Sequence, residues 1–458
     1  MHAYRLCAAL ALLLIGSASA SAERFPGAEW QQLSPAESGW SEVVLKEAHD
    51  FSDRIHSSAV VIVQHGAIVA EWGDTAKRTE LASVRKSLLS ALIGIAVGEH
   101  RIDLDATVGS LGIDDNAPSL TEVEKTATVR QLLEARSGVY HGALYETSDM
   151  AAERPARGSH PPGSFWYYNN WDFNALGTIY ERATGNGVFD AFDREIAKPI
   201  GMQDYSPPDG YYVRGAASIH PAYTFRMSAR DLARFALLYL RKGDWAGKQI
   251  VPADWVAEST RAYSRASFGM GYGYLWWTDF LGPAFAPSVK LPEGSFMALG
   301  AGGQYAVVIP ALDLVVVHRV DRDFDYVEPA SRNVGHLLWL ILKAGGYDGG
   351  PDVSLSAAVG ERPADDGLRE KLRGRTMSFG AALPNGPYAL RFEPDGSLTQ
   401  LHGPANARAG IKAWQVTGDE LCMTVPSFHC YHTVLQGERI ELFNMLGVLA
   451  VDASFEAR

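Results

Sequence analysis

The sequence predicts an α+β protein: an antiparallel sheet flanked by helices, followed by a small all-β module. Three observations carry that reading. Strand–turn–strand patterns stand near residue 60 and again near residue 300, with helical patterns between them, an order that favours an antiparallel sheet over βαβ units. No Gly-rich phosphate-binding run follows a strand, so nucleotide chemistry has no support. Beyond residue 386 the pattern is strand and turn throughout.

Taken in order, the chain opens on MHAYRLCAALALLLIGSASASAERF, with a basic start (His2, Arg5), an apolar stretch and an Ala-x-Ala ending. That is the construction of a secretory signal peptide. Cleavage after Ala20 or Ala22 fits, and Ala22 is preferred, which assigns residues 1–22 to the signal. The stretch is shorter than the roughly 20 apolar residues a membrane span needs. A periplasmic or secreted protein with no stable membrane insertion after signal removal is expected. Of the three cysteines, Cys7 leaves with the signal. Cys422 and Cys430 would mature in an oxidising compartment, where a disulfide between them is expected.

Residues 23–346 carry the sheet and helices. Val60-Val-Ile-Val-Gln-His-Gly-Ala-Ile-Val-Ala-Glu-Trp72 reads as a hairpin around His65-Gly66, two β-rich runs joined by a short turn. A helix from Ser83 follows, uncharged from Leu88 to Gly98 and so buried on most of its circumference. Phe225–Gly243 is an amphipathic helix with Ser228 as N-cap and a closing glycine. Residues 296–320 read as strand, Pro-containing turn, strand. Residues 347–385, rich in Gly, Pro and charge, read as a linker with one short helix around Leu368–Leu372. Residues 386–458 form the β module.

The 458 residues carry a formal charge of −12 and no run of Lys or Arg, which excludes the electrostatic footprint of a nucleic-acid-binding protein. No His-Glu-x-x-His and no paired Cys spacing occurs, so no metal and no cofactor are expected.

Within this frame Lys86 is an expensive residue, an amine at the head of an apolar helix. Ser83, three residues earlier, shares its face, near a helix N-terminus whose free N–H groups and dipole favour developing negative charge. An ordinary lysine, at about 10.4, is a poor base at neutral pH, but burial disfavours the ammonium. A neutral Lys86 would take the proton from Ser83 as its hydroxyl attacks a carbonyl. S-x-x-K arises by chance about once in a chain of this size. A serine N-cap followed by a lysine reaching for solvent is the competing reading. The other motifs decide between them. In Pro161-Pro-Gly-Ser-Phe-Trp-Tyr-Tyr-Asn-Asn-Trp-Asp-Phe-Asn-Ala-Leu-Gly177, a phenol at a rigid corner can relay a proton and an amide can hold the lysine or a substrate carbonyl.

With Ser83-Val-Arg-Lys86, this Y-x-N element and Gly300-Ala-Gly-Gly-Gln-Tyr-Ala-Val-Val-Ile-Pro310 in that order, the chain resembles the serine β-lactamase and penicillin-recognising superfamily. More narrowly it is similar to the branch of class C β-lactamases, family VIII-type esterases, D-aminopeptidases and 6-aminohexanoate-dimer hydrolases. Leu132–Gly138 and Met227–Phe235 are similar to that family's connecting segments. The resemblance covers roughly residues 40 to 345 and implies a β-lactamase/transpeptidase-like sheet with a helical subdomain. Two Y-x-N readings overlap, Tyr167 with Asn169 and Tyr168 with Asn170. A glycine commonly follows the family's Asn by seven residues, and Gly177 selects Tyr168 and Asn170.

The resemblance implies an acyl-enzyme mechanism: Ser83 as nucleophile, Lys86 as base, Tyr168 as proton relay, Asn170 as positioning group. The backbone N–H groups of Ser83 and Ala301, beside Gly300, would form an oxyanion hole. The family's basic tripeptide is replaced by Ala298-Leu-Gly300. The missing cation argues against holding a substrate carboxylate and for a small-molecule ester or neutral amide, 6-aminohexanoate-dimer-like amides included. A β-lactamase or D-stereospecific peptidase of the same fold is the near alternative. A penicillin-recognising binding protein without catalysis is the other class. His141 and His160 lie near the cleft segments and read as loop histidines. Tyr272, Tyr274, Trp276 and Trp277 read as strand packing.

Overall fold

The computed structural model describes residues 23–266, 270–278, 284–286, 289–323, 331–347, 367–379, 388–402, 414–417, 420–424, 428–443 and 449–455. The proposed signal peptide and much of the expected linker lie outside them.

Helix α1 (Glu42–Arg54) starts at the Ser41 N-cap and leads into β1 (Ala59–Gln64) and β2 (Ala67–Gly73). His65 and Gly66 take φ of 49° and 76°, the two left-handed residues that a tight hairpin turn requires. Then come β3 (Thr79–Glu80), α2 (Arg85–Gly98) and α3 (Asn170–Thr184). Next are β4 (Arg226–Met227), α4 (Ala229–Leu240), β5 (Ser264–Arg265), β6 (Gly271–Tyr272) and β7 (Trp277–Thr278). The unit closes with β8 (Phe296–Gly300), β9 (Gln304–Ile309), β10 (Leu314–Arg319) and α5 (Ser331–Ala344). The region read from sequence as two strands around a turn thus holds three.

The main sheet has eight strands in the order β2-β1-β10-β9-β8-β7-β6-β5, and its neighbours pair antiparallel. Strands β9 and β10 are buried at every position. Their unbroken apolar runs, such as Leu314-Val-Val-Val317, mark a sheet covered on both faces. Helix α4 packs on β1, β9 and β10, and α1 packs on α5.

The C-terminal strands form a second eight-stranded sheet with its own core, including Leu372, Met377, Phe392, Leu421, Ile440 and Leu442. It takes in Thr376–Phe379, a segment read from sequence as linker, which pairs with Tyr388–Phe392 and with Leu449–Phe455. A four-residue strand between a charge-rich stretch and a Gly- and Pro-containing one carries too little alternation to be seen in the sequence. The two edge strands, Leu398–His402 and Trp414–Thr417, are drawn together at Trp414. Its backbone N–H donates to Gly396 O at 2.8 Å and its indole N–H to Glu393 O at 2.9 Å. Both bonds go to the turn that precedes the strand Leu398–His402.

Candidate active site

The segment carrying Ser83 is anchored before it turns. Strand β3 pairs with β4, and the Leu81 N–H donates to Phe225 O at 2.9 Å. Ala82 then takes φ of 48°, an uncommon value for a residue with a side chain. Ser83 sits on a 3-10 turn, Ala82–Val84, and the α-helix begins only at Arg85. This corrects the expectation of a single helix from Ser83. The sharper turn still leaves the two side chains adjacent, with Lys86 Nζ 2.8 Å from Ser83 Oγ.

Helix α2 is buried on nearly its whole circumference. Ser87 and Ser90 donate to the carbonyls of Leu275 and Tyr274 at 2.8 and 2.7 Å. Gly94 lies where a Cβ would be 2.2 Å from the Trp255 indole, so the helix docks there by having no side chain.

Lys86 is 2 % exposed. Nζ also lies 2.7 Å from Tyr168 Oη, so the amine joins the serine to the phenol. Burial holds the Lys86 amine well below the ordinary lysine range, helped by the positive charge of Arg85. Arg85 is itself fully buried and forms no ion pair among the described residues. Its guanidinium lies over the Tyr223 ring at 4.4 Å and bonds Asn174 Oδ1 at 3.3 Å. Sequence reasoning passed over Arg85. Burial pushes the Tyr168 phenol up to about 12, with a hydrogen bond from Ser83 opposing the shift. Both effects favour a neutral amine beside a neutral phenol.

Tyr168 is held by packing against Phe173, Trp277 and Tyr272, with ring centroids 5.0, 5.4 and 6.0 Å away. Tyr272, Tyr274, Trp276 and Trp277 are all buried, and two of them form the wall that fixes the phenol. The overlapping motif separates cleanly in space. Asn169 is the N-cap of α3, accepting from Trp171 N at 3.1 Å. Tyr167 Oη donates to Met150 O at 2.5 Å. Only Tyr168 reaches the lysine among these residues.

Asn170 is buried, and its Nδ2 donates to Tyr145 O at 2.5 Å, while Oδ1 has no partner among the described residues. Of the two roles read for its amide, holding the lysine or a substrate carbonyl, the first is not seen: Asn170 makes no hydrogen bond to Lys86 among the described residues. The amide is committed to the loop carrying Tyr145, a residue at φ of 60° that sequence reasoning did not identify.

On the other side, Gly300 ends β8 against the turn. A Cβ there would lie 2.5 Å from Leu81 O and 3.0 Å from Ser83 N, so only glycine permits this approach. Neither the Ser83 N–H nor the Ala301 N–H has an acceptor among the described residues, and Ala301 is exposed. Position 298, where the resemblance places a basic side chain, is a buried alanine.

His160 stacks on Phe165 at 4.1 Å. His141 is held below its ordinary range, chiefly by burial and also by Arg157. Neither bonds Ser83, Lys86 or Tyr168. Among the described residues no group of three His, Cys, Asp or Glu side chains is placed to hold a metal, and no helix is long and apolar enough to cross a membrane.

These features define a serine-centred site on a β-lactamase-type fold, and comparison with known proteins agrees. The Beta-lactamase family model matches residues 44–334, and the chain belongs to that family, whose members are generally serine hydrolases. An uncharacterised protein of Alkalihalophilus pseudofirmus is 25% identical over 292 residues, 57% of this chain and 82% of its own. A putative 6-aminohexanoate-dimer hydrolase from Bacillus anthracis shares the fold with TM-score 0.50 and 21% identity, over 66% of this chain and 82% of the other. The octameric penicillin-binding protein homologue from Pyrococcus abyssi aligns over 91% of this chain and 100% of its own, with TM-score 0.51 and 16% identity.

Proposed function

We propose that the protein hydrolyses esters or small neutral amides through an acyl-enzyme on Ser83. The observation that carries this reading is the unbroken Ser83–Lys86–Tyr168 contact around an amine buried without a carboxylate among the described residues. A neutral Lys86 accepts the Ser83 proton as Oγ bonds to the substrate carbonyl carbon. The oxygen that becomes negative lies between the N–H groups of Ser83 and Ala301, where fixed donors stabilise it without reorganisation. When the tetrahedral intermediate collapses, the proton passes from Lys86 through Tyr168 to the leaving oxygen or nitrogen. Water then bonds to the acyl carbon as it loses a proton to Lys86, the carbon–Oγ bond breaks with that proton passing back to Ser83, and the acid leaves.

The amide reaction finds support in the likeness to a putative 6-aminohexanoate-dimer hydrolase, and the alanine at position 298 favours substrates without a carboxylate beside the scissile bond. A β-lactam depends on a cation for its carboxylate, so nitrocefin turnover should be slow or absent. Export to the periplasm or medium follows from the signal-like start. The backbone register sets Cys422 opposite Cys430, which supports the proposed disulfide. Their side chains lie outside the described part.

The test is the intact mass of the protein after exposure to a p-nitrophenyl ester or a fluorophosphonate. An adduct on Ser83, absent from Ser83→Ala, is expected. An unlabelled protein would favour the reading of a binding protein without catalysis.

A further inference from the structure

The two amides of the proposed oxyanion hole come from segments more than 200 residues apart in the chain, and a single buried guanidinium touches both. Arg319 ends β10, is 1 % exposed, and forms no ion pair among the described residues. On one side its Nη2 donates to Thr79 O, Thr79 Oγ1 and Glu80 O at 3.1, 2.6 and 3.1 Å. That is strand β3, which ends immediately before the Leu81–Ser83 turn. Nη1 donates to Met227 O at 2.7 Å, on the strand paired with β3. On the other side Nε donates to Gln304 Oε1 at 2.6 Å.

Gln304 is fully buried and is the register partner of Gly300. Its Nε2 donates to Gly302 O and Val320 O, both at 2.9 Å. The three-residue turn Ala301-Gly-Gly303 has φ of 78° and 81° at its glycines, and a turn so free of side chains needs pins from outside. Gln304 supplies one at Gly302, and His318 Nδ1, 2.8 Å from Gly303 O, supplies another.

A guanidinium buried without a carboxylate is costly, and an apolar side chain would serve the sheet as well or better. Its planar fork can hold several carbonyls in a fixed arrangement. We infer that Arg319, acting through Gln304, is the positioning residue that sets the separation of the Ser83 and Ala301 amides. This rests on the acyl-enzyme reading above.

The experiment compares full-length Gln304→Met and Arg319→Lys with the wild type on a p-nitrophenyl ester. It measures kcat, KM, the pH profile, the rate of Ser83 labelling by a fluorophosphonate, and thermal melting. Both variants are expected to lose about tenfold to a hundredfold in kcat, the scale of a misplaced oxyanion donor. KM should stay within about twofold, the labelling rate should fall in parallel, and the pH midpoint should not move, because Lys86 is untouched. Should Arg319→Lys fail to fold, Gln304→Met decides alone, since it leaves the guanidinium and its bonds to β3 and β4 in place and removes the Gln304 bonds to Arg319, Gly302 O and Val320 O. A cooperatively melting Gln304→Met with kcat within about twofold of wild type overturns the inference, as does a loss explained by a shifted pH midpoint. A wild type with neither turnover nor labelling at Ser83 refutes the hydrolase reading itself, and the inference with it.

Discussion

Lys86 Nζ and Tyr168 Oη lie 2.7 Å apart, and neither group meets a carboxylate among the described residues. In such a place an ammonium would have no counter-ion, and burial favours a neutral amine beside a neutral phenol, the pair the proposed base needs.

Removal of Ser83 or of Lys86 should stop the reaction without unfolding the protein. Ser83→Ala and Lys86→Ala are expected to lose at least about a thousandfold in kcat/KM on a p-nitrophenyl ester, each about as severely as both together, because the groups act as a unit. Additive losses in the double variant would show that they do not.

Tyr168→Phe keeps the aromatic packing against Trp277 and Tyr272 and deletes only the hydroxyl. A loss of about a hundredfold or more in kcat is expected for a proton relay, larger for an amide than for a p-nitrophenyl ester, whose leaving group needs no proton. Equal losses on both substrates would assign the phenol a packing role.

Gly300→Ala tests the oxyanion side. The new Cβ would lie 3.0 Å from Ser83 N, in space needed for the substrate oxygen or the turn. We expect kcat to fall at least about a hundredfold, with Lys86 still titrating as in the wild type. Wild-type turnover would place the oxyanion elsewhere.

Lys86 also has a stability signature. Its amine is held below its unfolded value, so over the interval between the two values the unfolded chain binds the extra proton and wild-type stability rises with pH. Lys86→Met should therefore melt above the wild type at neutral pH, and the difference should shrink as pH climbs towards the ordinary lysine range. Parallel melting curves at all pH values would contradict a depressed amine.

His318 predicts acid sensitivity. Burial, together with Arg319, lowers it to about 4 against the bond to Gly303 O, and Ser57 Oγ lies 2.7 Å from Nε2. The neutral ring donates from Nδ1 to Gly303 O and accepts from the Ser57 hydroxyl. The folded pKa is depressed, so this stability is fully present above about 6.5 and is lost as pH falls towards 4, a total on the order of 3 kcal/mol. His336, also near 4 through burial, shares the window. His318→Gln should flatten, without abolishing, the fall in chemical-denaturation stability across it, and an unchanged slope would remove His318 from the account.

What the sequence made legible was local. Ser83 and Lys86 are three residues apart, Tyr168 and Asn170 two, and the order of these motifs along the chain carried the rest. The buried run after Lys86 announced an amine without water. What stayed hidden depended on distant partners. Arg319 reaches Thr79 across 240 residues of sequence, and no period or spacing signals a guanidinium that binds carbonyls. Arg85 reads as an ordinary helix-start cation until Tyr223 and Asn174 are seen around it. The 3-10 turn at Ser83 depends on the left-handed Ala82, a residue type that gives no hint of positive φ. Asn169 and Asn170 look equivalent in sequence. One caps the helix and the other bonds Tyr145 O, because the first residue of α3 turns its side chain about 100° from the cap.

The most direct measurement is the titration of Lys86 in the resting enzyme, followed by NMR of protein carrying 13C at lysine Cε, with the signal assigned by its loss in Lys86→Met. The account predicts a midpoint well below the ordinary lysine value, matching the basic limb of Ser83 acylation. A midpoint at or above about 10.4 would contradict it, because an amine that keeps its proton cannot take one from Ser83.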